Sequence, residues 1–123
     1  MRGDEIILTI PREEPFHEVA HLVLGGFAAR LNLSFESLDD LETALDAVLE
    51  RSSANGEVTV RLRIEDGAIR AAVGPVVVER LRAELERELG ETMTLRRILD
   101  TVVDSYELDH DGWLELSKQV EEA

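Results

Sequence analysis

The residues richest in chemistry stand near the start of the chain, where PFHEVAHLVL contains His17-Glu18-Val19-Ala20-His21, an H-E-x-x-H. Two histidines one helical turn apart can hold a zinc ion while the glutamate between them polarises an attacking water. A zinc protease needs more than those five residues. Only one predicted strand precedes the helix, so no edge-strand platform is in place to align a peptide. His110 is the one histidine further along, and no Gly and His follow at the spacing of the extended motif. Carboxylates abound as alternative third ligands, so zinc hydrolysis through His17, Glu18 and His21 stays as the weakest reading. A second cluster, Asp109-His110-Asp111-Gly112, has acids around a histidine, but Asp-Gly between two strand-like runs reads as a polar hairpin turn. Trp113 beside it reads as packing.

These residues lie in a chain of 123 residues, 44% hydrophobic, long enough for one domain spanning 1–123 and too short for two. The formal net charge of −14 makes phosphate backbones and anionic lipid surfaces poor partners, so neither nucleic acid nor membrane is expected. Without cysteine there is no disulfide and no thiolate-held metal. MRGDEIILTI places acids where a secretory signal has its positive end, and its apolar run is too short for export or spanning, so the expected location is cytoplasmic. The acidic runs Glu13-Glu14, Asp39-Asp40 and Glu121-Glu122 read as solvated faces.

The elements that position the chemistry follow from periodicity. EIILTI, ended by Pro11, is a first strand. From Glu13 to Leu31 the pattern is helical, with Phe16, Val19, Ala20, Val23, Phe27 and Leu31 on a stripe that seeks a core. Its back is unusual, because between Val19 and Ala29 the only polar side chain is His21; Leu22, Gly25, Gly26 and Ala29 need a cover from this domain or another chain. FESLDDLETALDAVLERSS is a second helix with Leu38, Leu41, Leu45, Val48 and Leu49 inward, broken by Ala54-Asn55-Gly56. EVTVRLRIE alternates, turns at Asp66-Gly67 into AIRAAV, and stops at Gly74-Pro75. VVVERLRAELERELG is a helix closed by Gly90, TLRRILDTVVDS a short one, and YELDHDGWLELSKQV a second hairpin. The order β-α-α-β-β-α-α-β-β predicts an α/β (α+β) two-layer sandwich: a mixed, mainly antiparallel sheet with helices on one face and a more polar second face carrying Thr59, Arg61, Arg63 and Trp113.

FHEVAHLVLGGFAARLNLSFESLDDLETALDAVL, followed by EVTVRLRIEDGAI and LRRILDTVVDSYEL, resembles the bacterial anti-sigma-factor serine kinases, small relatives of histidine-kinase ATPase domains, over nearly the full length in element order. The resemblance implies a histidine-kinase-like ATPase fold that binds ATP between helices and sheet, dimerises, and holds a sigma factor until an antagonist displaces it. Such kinases carry on the second helix a general-base Glu and, one turn on, a magnesium-holding Asn; Asp46 and Glu50 stand at those positions. In the Asp-x-Gly-x-Gly box that reads adenine, aligning Gly74-Pro75 puts Ala72 at the Asp and Val76 at the second glycine, so only Gly74 remains. The glycine-rich phosphate cradle is replaced by Thr92-Met93-Thr94-Leu95, and the lid by VVERLRAELEREL.

Three degraded boxes imply lost ATP binding, so no cofactor is expected; ATP with magnesium is the alternative. The leading expectation is a non-enzymatic regulatory module that binds a sigma factor or an antagonist-like protein and forms a homodimer through His17, His21, Leu22, Gly25, Gly26 and Ala29. An active ATP-dependent serine kinase with Asp46 as base is the first alternative and the H-E-x-x-H zinc hydrolase the second.

Overall fold

A computed structural model describes residues 5–51, 56–65, 67–86 and 94–119. Strand β1 (Glu5–Pro11) leads through a single 3-10 turn (Glu14–Phe16) into helices α1 (His17–Leu31) and α2 (Phe35–Arg51). Strands β2 (Glu57–Glu65) and β3 (Ala68–Gly74), helices α3 (Val78–Glu86) and α4 (Leu95–Val102), and strands β4 (Ser105–Leu108) and β5 (Leu114–Gln119) follow. The order of elements is the one read from periodicity. The break at 52–55 and the stretch 87–93, with Gly90 and Thr92-Met93, lie outside the described residues.

The sheet runs β1-β2-β3-β5-β4. Alternation sorts its two faces: Ile10, Val58, Val60, Leu62, Ile69, Ala71, Val73, Leu114 and Leu116 are buried and join Leu24, Phe27, Leu45, Leu81 and Leu99 of the helices in one core. Between them on each strand stand Thr59, Arg61, Arg63, Arg70 and Glu115, on a face that no described helix covers. All four pairings are antiparallel, so among the described residues the sheet is wholly antiparallel where a mixed one was expected. The cause is in the crossovers. The α1–α2 excursion returns the chain to the end of the sheet it left, and β5 folds back as a hairpin between β3 and β4, which share a direction but do not pair.

Local chemistry sets the helix ends. Asn32 takes the left-handed conformation after α1 (φ 57°), and its N–H donates to the carbonyls of Ala28 and Ala29. Ser34 Oγ then accepts from the Ser37 N–H at 3.1 Å and starts α2. Thr94 caps α4, its hydroxyl accepting from the Arg97 N–H at 3.2 Å.

The inward face of α1 differs from the expected stripe. Ala20, Leu24, Phe27 and Ala28 are buried, whereas Phe16 and Val19 are exposed. Phe16 belongs to the 3-10 turn that precedes the helix and so cannot set its phase. At 3.6 residues per turn the set 20, 24, 27, 28 makes one face, and Val19 falls outside it. Val76, expected to open α3, is instead a buried core residue two positions before the helix begins.

Candidate functional site

Helices α1 and α2 are joined by only Asn32-Leu33-Ser34 and pack together. Burying Leu24 and Phe27 on α1 leaves His17 and His21, one turn apart, along the edge that meets α2. Burying Leu41, Leu45 and Val48 on α2 leaves Asp46 and Glu50, also one turn apart, along the facing edge. The two pairs, with Glu14 and Glu18, line an open cleft of ≈ 190 Å³. The sequence-predicted His17, Glu18, His21, Asp46 and Glu50 therefore meet here, at the seam of two helices.

Within the cleft His21 Nε2 lies 2.6 Å from Asp46 Oδ1, with side chains 28% and 38% exposed. His17 Nε2 is 3.2 Å from the Arg12 carbonyl oxygen. Glu50 extends toward solvent, 3.7 Å from Arg51, whose Nε reaches Glu84 of α3 at 3.8 Å. The lining thus gathers four carboxylates and two imidazoles, and no lysine or arginine. Among the described residues no three His, Asp or Glu side chains are gathered so as to hold a metal ion. His17 and His21 are turned to a carbonyl and a carboxylate, so the H-E-x-x-H pair does not make a zinc centre in this arrangement.

The other nucleotide-box positions lie elsewhere. Ala72 is on the sheet face away from the helices, at the bottom of a second cleft lined by Arg61, Glu107, Asp109, Trp113 and Glu115. Gly74 does not line the α1–α2 cleft; a Cβ on it would stand 2.7 Å from both the Gly112 carbonyl oxygen and the Trp113 ring. The glycine is required because the β4–β5 turn approaches it. The segment after it is held from both sides: Val76 N–H donates to the Gly112 carbonyl at 2.7 Å and Arg12 Nη2 to the Pro75 carbonyl at 2.6 Å. Burial holds the Arg12 guanidinium below the usual arginine pKa. Of the phosphate-box stand-ins, Thr94 is a helix cap and Leu95 is fully buried, while Thr92-Met93 lies outside the described residues. The residues aligned with adenine recognition and those aligned with base and magnesium thus lie on opposite sides of the sheet.

The interface candidates Leu22, Gly26 and Ala29 are exposed, Leu22 at 72%, and nothing lies within 4 Å of a Cβ built on Gly25 or Gly26. Phe35, 87% exposed at the start of α2, adds an apolar group that periodicity missed because it precedes the α2 stripe. In the 109–112 turn, Asp109 Oδ1 accepts from the N–H groups of Asp111 (2.8 Å) and Trp113 (3.1 Å), as a polar hairpin turn should. Trp113 is more than packing, since the Arg61 guanidinium carbon sits 5.3 Å from its ring centroid. No described helix is long and apolar enough to cross a membrane.

No protein-family model matches the chain. It is 26% identical to Serine-protein kinase RsbW of Listeria innocua serovar 6a, over 97% of this chain and 92% of that protein. Serine-protein kinase RsbW of Listeria monocytogenes serotype 4a matches at the same identity and coverage. Among solved structures, the RsbU and RsbW domains of Rv1364c from Mycobacterium tuberculosis superpose with a TM-score of 0.63 at 12% identity, over 98% of this chain and 34% of that one. The chain spans about a third of that longer polypeptide, and the likeness there is one of fold. The resemblance to the anti-sigma-factor serine kinases and the two-layer α+β architecture are borne out.

Proposed function

We propose that this relative of the anti-sigma-factor serine kinases works by binding proteins: it pairs with a second copy through the outer face of α1, holds a sigma factor or an antagonist-like protein, and has lost ATP binding and kinase activity. The observation that carries the reading is the α1–α2 cleft. Asp46 and Glu50, at the positions of base and metal-holding amide, share it with Glu14 and Glu18 and with no guanidinium or ammonium. A polyanionic nucleotide brought there meets like charge, and removing water from those carboxylates raises the cost. Ala72, on the far face of the sheet, has no acceptor for an adenine amino group. The apolar back of α1, with Leu22 and two glycines that admit a close neighbour, supports docking of another chain.

An active serine kinase is the second reading, favoured by the names of the relatives. In it Asp46 would act as base, although its Oδ1 is hydrogen-bonded to His21. Calorimetric titration of the purified protein with Mg-ATP separates the two. No heat above dilution is expected, in the wild type or in His21→Ala, which frees Asp46. A micromolar dissociation constant in either would restore the kinase.

A further inference from the structure

The sheet ends in two edge strands, β1 and β4, and the chain treats them differently. An edge strand offers unpaired N–H and C=O groups to any other strand, and proteins blunt such edges with short strands, charged side chains, bulges or a covering element. β4 has these safeguards. It is four residues long, carries the exposed Glu107, and is tied to α4 by the Tyr106 hydroxyl, 2.9 Å from Asp100 Oδ1. β1 lacks them. All seven of its residues pair with β2 in unbroken register, so there is no bulge, and Ile6-Ile7-Leu8-Thr9-Ile10 carries no charge. Among the described residues, only β2 pairs with its backbone.

The helix above that edge is uncovered on the same side. The helical layer runs α1-α2-α4 in the sense in which the sheet runs from β1 to β4, because α1 packs on β1, α2 on both α1 and α4, and α4 on β4. His21 marks the side of α1 that meets α2, through Asp46. At about 100° per residue, Val19 and Val23 lie about 160° round the helix from His21, on the flank turned away from α2 and toward the free edge of β1. Val19 is 37% exposed, and Ile7, in the middle of β1, is 61% exposed. An uncharged strand edge and an apolar helix flank thus run side by side along one border of the domain.

We propose that the free edge of β1 is a self-pairing seam: a second copy of this chain adds its own β1 antiparallel to it, and the two five-stranded sheets become one continuous sheet. The inference rests on the reading that the chain pairs with a twin, and it adds the strand beneath α1 to the surface that does so. The sequence of β1 is complementary to itself. Two antiparallel copies centred on Ile7 set Ile7 against its symmetry mate, Ile6 against Leu8 and Glu5 against Thr9, so no like charges stand opposed. The same two-fold axis turns the Val19 and Val23 flanks of both α1 helices toward each other above the joined strands. A strand from another protein satisfies the backbone of the edge equally well, but only a twin brings a matching apolar flank that needs the same cover.

In a free edge strand alternate amides face solvent and exchange fast, whereas in a strand paired on both sides all are held. Sedimentation velocity of the full chain should show a dimer. Under the same conditions, hydrogen exchange read by nitrogen–proton correlation spectra should find every amide from Ile6 to Ile10 slow. Ile7→Lys sets two cations face to face across the seam and should weaken the dimer by about thirtyfold, with alternate β1 amides turning fast, while Ile7→Val keeps both readouts. A dimer whose alternate β1 amides exchange fast, or one that Ile7→Lys leaves intact, would overturn the proposal and leave pairing through the outer face of α1 standing. Slow amides throughout β1 in a protein that sediments as a monomer would show the edge closed by its own chain, and would overturn it as well. A monomer at every concentration with fast alternate amides would remove both readings together.

Discussion

The α1–α2 cleft and the open face of the sheet distribute their charges differently. On the open face, Arg63 and Arg70 interleave with Glu65 and Glu115 across three strands, so these four charges meet their opposites. In the helical cleft four carboxylates share two imidazoles. Strand pairing brings opposite charges into register on one flat surface, where cross-strand pairs lower the free energy by a few tenths of a kcal/mol each. Helix edges set like charges one turn apart with no such correction. The interleaved pairs serve the fold and leave Arg61 outside them; in the proposed reading, the carboxylates of the cleft disfavour an anion.

The largest effect that would break this contrast lies at Gly74. Adding a methyl there forces it to 2.7 Å from a backbone carbonyl and an indole ring, and the carbonyl cannot swing away as a side chain would. Gly74→Ala should therefore cost about 3 kcal/mol, at the upper end for overpacking, with Trp113 fluorescence altered in the folded state. Urea unfolding read by that fluorescence checks it. An unchanged midpoint would mean the turn does not press on β3.

Gly74 also shows where the sequence was legible and where it was not. EVTVRLRIE and AIRAAV announced a hairpin because alternation is a local signal, and the order of all nine elements followed from such signals. The need for Gly74 comes from Gly112 and Trp113, whose approach no local pattern reveals; a glycine before proline looked like the remnant of a nucleotide box. The α1 core face was misjudged for a related reason. A helix with one polar side chain between Val19 and Ala29 has nothing to fix its phase, and Phe16, the largest apolar residue nearby, proved to precede it. His21 and Asp46 were both singled out, one for zinc or interface and one as a base. Their hydrogen bond spans 25 positions and belongs to tertiary packing.

A smaller effect is expected on the outer side of α1. Gly25→Arg places a long cation where nothing lies within 4 Å of the new Cβ. It also replaces the poorest ordinary helix former, so the isolated fold should gain about 0.5–1 kcal/mol. If a second copy covers this face, the dimer should weaken by about thirtyfold, near 2 kcal/mol, because the charge must be buried or the helices parted. Sedimentation velocity with and without the substitution reads the change. A higher melting temperature with an unchanged monomeric mass would show that the face has no twin partner.

The smallest effect sits where the two layers join at the sheet edge. Tyr106 of β4 donates its hydroxyl to Asp100 Oδ1 of α4 at 2.9 Å. Burial first, then that hydrogen bond and the carboxylate's charge, push the phenol above its ordinary value, with Arg96 opposing. A group whose folded pKa is raised contributes stability that is complete below the unfolded value of about 10 and disappears as pH climbs through the folded one. Tyr106 is the only tyrosine, so the phenolate absorbance band titrates it directly. The folded midpoint should lie above about 10 and fall toward it in Asp100→Asn, which keeps the shape and removes the charge. Asp100 has a cation within reach, Arg96 at 3.9 Å, and a phenol to accept from. A midpoint unmoved by the substitution would mean the carboxylate is turned to solvent, and the balance of charge that marks the sheet would not extend to its junction with the helices.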